Sequence, residues 1–194
     1  MTFKQYINPE LDHDLDETFK EIGKLDPEQL KKGQRLEGGK NFKEVDSFYQ
    51  IISRIKKNDL ASDTPKGLDS LTVYSKADYR KMRCFIGHNN SSGYCIKGTE
   101  LVSVFSSQGS SGSAIVRSAI RNGARHLDCY ATYENGKLSG DLYSLYRRNG
   151  FKLDKKTDGV LGEPYTVQDG ISRFVNSKGE VELDNPNVVI YMKV

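Results

Sequence analysis

A mixed α+β fold, with a mostly antiparallel sheet flanked by helices, is what this 194-residue sequence predicts. Three observations predict it. Apolar residues recur at helical spacing in the first third of the chain. From Leu71 the pattern changes to short runs rich in Val, Ile, Tyr and Phe, separated by turn residues such as "HNNSSG". The last third alternates strand-like and helix-like segments and closes on "NVVIYMKV", the clearest strand pattern in the sequence. Helices, then strands, then alternation read as one mixed sheet of the α/β or α+β type.

The elements follow in order. Leu11, Leu15, Phe19, Ile22 and Leu25 share one face of a helix, and Pro27, Gly33 and Glu37–Gly39 break that pattern. Residues 1–40 therefore read as an N-terminal helical extension to a domain spanning 41–194. The second helix opens with Asn41 and Glu44 spaced as a capping box, and Val45, Phe48, Ile52 and Ile55 form its apolar stripe. After a polar loop from Lys56 to Gly67, "LTVYS", "MRCFIG", "GYCIKG" and "ELVSVFS" read as strands. A small-residue loop then enters a helix over Ser111–Asn122, stopped by Gly123, and "ARHLDCYA" is a further strand. The last helix spans Ser139–Asn149, with Leu142, Leu145 and Tyr146 inward and Gly150 at its end. "FKLDK" begins another strand, Asp154–Gly162 reads as a loop, and "ISRFVN" pairs with "EVEL" as a hairpin.

Composition narrows the function. With 29 basic against 26 acidic residues the net charge is +3, which disfavours a dedicated nucleic-acid binder. The acidic run between Glu10 and Glu28 reads as a solvated helix face, with a docking arm as the alternative. No apolar stretch reaches the ~20 residues needed to span a bilayer, and the N-terminus lacks a signal-peptide core. Cys84, Cys95 and Cys129 are odd in number and widely spaced, which suggests free thiols in a reducing compartment. These features place the protein in the cytoplasm, that of the host for a viral protein. His13, His88 and His126 form no metal-ligand motif.

The chemistry-bearing stretch is "GSSGSA", Gly109–Ala114. Its low bulk lets backbone N–H groups approach a ligand, and it opens a helix whose first N–H groups lack partners and whose dipole end is positive. A phosphate suits such a place. A plain Gly/Ser turn with Ser110 or Ser111 as N-cap is the alternative. The Walker A and dinucleotide fingerprints both fail here, in residue type and in spacing.

Together with "SGDLYSLYRRNGF" at Ser139–Phe151, this loop gives the chain a resemblance to the GCN5-related N-acetyltransferase (GNAT) family. That family follows its fourth strand with a Q/R-x-x-G-x-G/A loop and a helix. After its fifth strand it has a helix reading N-x-x-A-x-x-L-Y-x-x-x-G-F. "LYRRNGF" matches the end of the second pattern at each fixed position, while Ser139 and Leu142 replace its Asn and Ala. Gly112 and Ala114 match G-x-A, whereas Gly109 stands where Gln or Arg is usual and Gln108 lies one residue early. The resemblance covers about Leu71 to Val194.

The resemblance implies an N-acyltransferase using acetyl-CoA as co-substrate, with direct transfer to an amine. Gly109, Ser110, Ser111, Gly112, Ser113 and Ala114 would hold the CoA pyrophosphate, and Ser139 would fall beside the cofactor. The strand "LVSVFS" would splay near Val104, Phe105 and Ser106, leaving the Val104 N–H to the thioester carbonyl. Tyr146 would be the acid that protonates the departing thiolate, against a plain reading as a core aromatic. Glu100 and Asp128 are the candidate bases, with His126 a third.

Other readings stay open. Cys129 as an acyl carrier lacks a spaced activating partner. Arg117, Arg121 and Arg125, at i, i+4 and i+8, form either a solvated face or a phosphate-binding stripe. A GNAT-like domain that has lost catalysis and serves as a binding or structural protein is the rival class. The acceptor is expected to be a protein, peptide or small-molecule amine, with a nucleobase, as in GNAT-like DNA-modifying enzymes of bacterial viruses, second. Loop His88–Gly93, segment Gly159–Asp169, Tyr133 and Glu134 are candidate acceptor walls.

Overall fold

The computed structural model describes residues 19–23, 42–61, 71–87, 90–106, 112–156, 159–162, 165–175, 178, 181–182 and 187–194. The chain divides into two compact units, Met1–Ala124 and Arg125–Val194. Strand pairing within each unit is antiparallel wherever a register is defined, and four helices accompany the strands among the described residues.

In the first unit, β1 (Lys20–Ile22), β2 (Arg83–Ile86), β3 (Ser92–Lys97) and β4 (Glu100–Ser106) pair in chain order. Helix α1 (Phe42–Leu60) carries Val45, Phe48 and Ile52 at i, i+3 and i+7, and all three are fully buried. They pack with Cys84, Ile86, Cys95, Val102 and Phe105 from the strands. The one-turn helix α2 (Lys76–Tyr79) is capped by Ser75, whose side chain accepts the Asp78 amide. Arg80 then clamps Asp46 of α1 with two hydrogen bonds of 3.0 and 2.7 Å.

Strand residues of opposite parity serve helix α3 (Gly112–Arg121). Phe85 and Tyr94 stack with ring centroids 4.7 Å apart, and the Tyr94 hydroxyl meets Ser118 Oγ at 2.8 Å and accepts from Asn122 Nδ2 at 3.0 Å. Helix α3 ends in a Schellman motif. Gly123 takes φ +101°, its amide donates to the Ile120 carbonyl, and the Ala124 amide donates to Ala119.

The second unit contains β5 (His126–Glu134), β6 (Lys137–Ser139), α4 (Asp141–Arg148), β7 (Lys152–Leu153), β8 (Gly159–Gly162), β9 (Tyr165–Gln168), β10 (Ile171–Val175), β11 (Val181–Glu182) and β12 (Asn187–Lys193). The last strand in the chain is internal to this unit's sheet. β12 pairs with β5 along its whole length, from Asn187↔Thr132 to Lys193↔His126, and on its other side meets β10 and β7. Its alternation explains this place: Val188, Ile190 and Met192 are buried beside Ala131, Cys129 and Leu127. Helix α4 buries Leu145 and Tyr146 and contacts β5.

Several sequence expectations are corrected. Phe19–Ile22 does not continue a helix: Lys20–Ile22 is β1, pairing with β2 at Lys20↔Ile86 through Ile22↔Cys84. The rest of the expected first helix lies outside the described residues. A three-residue strand has too few positions for its period to show against a helical spacing that continues through it. "LTVYS" joins no ladder, because Ser75 turns the chain into α2. Part of the expected Asp154–Gly162 loop is β8, which pairs with β9, so Gly159–Gly162 and Tyr165–Gln168 are strands. Asn41 lies outside the described residues, and Glu44 accepts the Gly23 amide at 2.8 Å, tying β1 to α1. No described helix is long and apolar enough to cross a membrane.

Gly93 is a packing requirement of the first unit. A Cβ there would stand 2.7 Å from the Phe85 carbonyl oxygen and 2.9 Å from the Phe105 ring, which lies across it from the paired strand. Gly93→Ala is therefore expected to cost about 1–3 kcal/mol, as overpacked cores do, and to lower the urea midpoint. An unchanged midpoint would show that both the Phe85 carbonyl and the Phe105 ring can move aside.

Candidate functional site

The middle of β4 is irregular. Between the pairs Cys95↔Val102 and Gly93↔Phe105, β3 supplies one residue, Tyr94, and β4 supplies two, Ser103 and Val104. This is a β-bulge. Strict alternation would put Val102 and Phe105 on opposite faces, since they are three residues apart. The extra residue brings both to the α1 face, where Phe105 meets Phe48 edge-on at 5.8 Å. Ser103 takes φ +52°, a left-handed conformation that non-glycine residues rarely hold without support.

That support is a chain of hydrogen bonds. Ser103 Oγ donates to the Thr72 carbonyl at 3.0 Å, so the 3.0 Å contact between Ser103 Oγ and Tyr79 Oη is donated by the phenol. Tyr79 Oη in turn accepts the Tyr74 amide at 3.2 Å. Each hydroxyl has both a donor and an acceptor. Burial pushes the Tyr79 phenol up to about 12, with the Ser103 and Tyr74 hydrogen bonds opposing the shift.

The expected site residues of the first unit can now be placed. Val104 is half-buried in the bulge, Phe105 is committed to the core through its ring, and Ser106 pairs with Ser92. Gly112, Ser113 and Ala114 form the first turn of α3, as expected. Gly109, Ser110 and Ser111 lie outside the described residues. Glu100 closes the β3–β4 hairpin opposite Lys97.

The second unit holds Tyr146, Asp128, Cys129 and Ser139. Tyr146 is 5% exposed, and its hydroxyl makes no hydrogen bond to the described residues. Desolvation raises its pKa far above the ordinary phenol range, with the neighbouring Cys129 and Asp128 adding to the shift. Burial likewise pushes the Cys129 thiol up to about 12, with Asp128 contributing, so Cys129 is a neutral thiol at physiological pH and a poor nucleophile. Asp128 alternates with the buried Leu127 and Cys129, and desolvation raises its carboxyl pKa.

Two expectations fail here. Ser139 is not on the last helix: it is exposed in β6, paired with Thr132, and α4 begins at Asp141 after Gly140 at φ +121°. Arg125 is not on the loop helix, because α3 ends at Arg121 and the Schellman turn intervenes; only Arg117 and Arg121 remain as an exposed helical pair.

The "LYRRNGF" stretch also has a structural role. Gly150, at φ +98°, is the C′ residue of α4, and its amide donates to Arg147 while the Phe151 amide donates to the Tyr146 carbonyl. Phe151 and Tyr146, the C″ and C3 positions, meet edge-on at 5.9 Å. The spacing Y-x-x-x-G-F is thus the spacing of a Schellman cap with its apolar contact.

At Tyr133, a candidate acceptor wall, the guanidinium of Arg173 lies 5.0 Å from the ring centroid. A lone basic residue in a hairpin gives no sequence signal for Arg173. Among the described residues no group of His, Cys, Asp and Glu could hold a metal ion. Comparison with known proteins finds no matching family model, no matching curated protein and no matching solved structure.

Two measurements check this geometry. Ser103→Ala keeps the left-handed backbone but leaves Tyr79 Oη without its acceptor, so a loss of about 1–3 kcal/mol in urea unfolding is expected. Ser103→Gly relieves the backbone and should lose less. In alkaline titration, Tyr79, Tyr94 and Tyr146 should ionise above the ordinary phenol range, since burial raises all three. A phenol with a raised folded pKa contributes stability below about pH 10 that is lost as pH rises through its folded value, about 12 for Tyr79. Phenolate absorbance that rises as one ordinary transition, without accompanying unfolding, would contradict this.

Proposed function

We propose that the chain is an acyl-CoA-dependent N-acyltransferase that uses acetyl-CoA and transfers the acetyl group directly to an amine. The observation that carries this reading is the bulge at Ser103–Val104. It interrupts the fourth strand at the residue where the GNAT resemblance asks for a free backbone N–H. The order of elements agrees with the same pattern: β4 is followed by a helix that begins at Gly112, and helix α4 with its L-Y-x-x-x-G-F end comes after β5.

The resemblance implies a role for residues of each unit, taken separately. The first turn of α3 presents backbone N–H groups with no side chain larger than Ser113, which suits a pyrophosphate. The Val104 N–H donates to the thioester oxygen as charge develops there. Asp128 takes the proton of the attacking amine, since its raised pKa makes it a stronger base than an ordinary carboxylate. Tyr146, protonated throughout the physiological range, delivers a proton to the leaving sulfur. The C–N bond forms and the C–S bond breaks without passing through Cys129.

Binding without turnover is the rival reading. It is favoured by the Schellman role of Tyr146, Gly150 and Phe151, which gives the motif a reason to exist apart from catalysis. One set of experiments separates the two. Calorimetric titration with acetyl-CoA is expected to give a Kd below about 1 mM, the upper end of ordinary substrate affinities. No binding at that concentration overturns the enzyme and leaves the binding or structural protein. Thiol release from acetyl-CoA in the presence of peptide amines reports turnover, and Tyr146→Phe should lower it by about 10²–10⁴-fold with CoA affinity unchanged. Binding with no thiol release would leave the binding protein.

A further inference from the structure

Cys84 and Cys95 are directly opposite one another on β2 and β3. The Gly87 amide donates to the Ser92 carbonyl at 2.9 Å, which marks a hydrogen-bonded pair at that end of the ladder. Counting along the register makes Cys84–Cys95 a non-hydrogen-bonded pair, the kind whose Cα atoms stand about 4.5 Å apart and whose side chains lie closest. Both thiols are completely buried on the α1 face, and their sulfurs are 2.9 Å apart. A disulfide needs about 2.05 Å between sulfurs and Cα atoms 4.4–6.8 Å apart, so closure takes a movement of roughly 0.9 Å within an admissible backbone.

We infer that Cys84 and Cys95 are a dithiol switch, converted by hydrogen peroxide to a reversible intramolecular disulfide that braces β2 to β3. The hydrogen bonds give the order of events. Cys95 Sγ–H donates to Cys84 Sγ, and Cys84 Sγ–H donates to the Tyr79 carbonyl at 3.7 Å. The Cys84 sulfur therefore already has a donor beside it, and burial with the neighbouring Cys84 holds the Cys95 pKa well above the ordinary thiol range. Peroxide, small enough to enter by local opening, oxidises the Cys84 thiolate to a sulfenic acid and leaves as hydroxide. The Cys95 sulfur then attacks the Cys84 sulfur, the S–S bond forms, and the sulfenic oxygen leaves as water. In total two thiols and one hydrogen peroxide give one disulfide and two waters. The inference does not depend on the acyltransferase reading.

Cys129, in the second unit, serves as an internal reference because it has no sulfur partner among the described residues. The full-length reduced protein is treated with hydrogen peroxide, denatured in excess alkylating reagent, digested and analysed by mass spectrometry. Alkylatable thiols are expected to fall from three to one, with the Cys84 peptide linked to the Cys95 peptide and Cys129 alkylated. Dithiothreitol should then restore all three. Three alkylated cysteines after treatment, sulfinic acid at either position without a cross-link, or a link that includes Cys129 or a second chain would overturn the inference.

Discussion

The first unit depends on one extra residue in β4. Without it Phe105 would face α3, its ring would leave Gly93, and Phe48 of α1 would lose one of its two aromatic partners. The irregularity is held by short-range chemistry on the same face: Ser103 at positive φ, its hydroxyl bonded to Thr72 and Tyr79, and Tyr79 fixed by the Tyr74 amide. The segment from Leu71 to Tyr79, which contributes no strand, thus exists to buttress a strand. Strain of order 1–3 kcal/mol at one residue is sustained because several groups over-determine it. The bulge serves core packing whatever else it does, and the half-buried Val104 has no register partner on β3.

A similar double use marks the second unit. Gly150 and Phe151 close α4 by local hydrogen bonds and a ring contact to Tyr146. Such a cap fixes where Tyr146 points, and burial then fixes its protonation state. Burial disfavours charge on the Tyr146 phenol and the Cys129 thiol, and the pKa of Asp128, exposed on the same strand as Cys129, is raised in the same direction. Proton donation by Tyr146 fits such an environment; thiolate chemistry at Cys129 does not.

The bulge itself is not legible in the sequence; the family resemblance implies only a splay near Val104–Ser106, where Phe105 and Ser106 are in fact paired with β3. "LVSVF" is apolar at both parities, so a regular strand and a bulged one look alike in it; the choice is made by what β3 and α1 offer on each side. The strands β1, β6, β8 and β9 were not legible for a related reason. They have three or four residues each, and their partners rather than their composition make them strands. Ser139 illustrates the limit at a site residue: a motif alignment put it on a helix, while pairing with Thr132 and the positive φ of Gly140 delay the helix to Asp141.

What the sequence determined by itself is local and periodic. The stripe of α1, the Gly123 and Gly150 stops of α3 and α4, the alternation of β12 and the β10–β11 hairpin all follow from side-chain spacing and glycine's access to positive φ. What only the tertiary structure decided is which residues share a face across strands. The insertion of β12 between β5 and β10, the crossing of the Phe105 ring over Gly93, and the 2.9 Å approach of Cys84 to Cys95 depend on register. Register is set by the summed packing of the paired faces, which spacing within one strand does not specify, even where the partners are as near in the chain as Cys84 and Cys95.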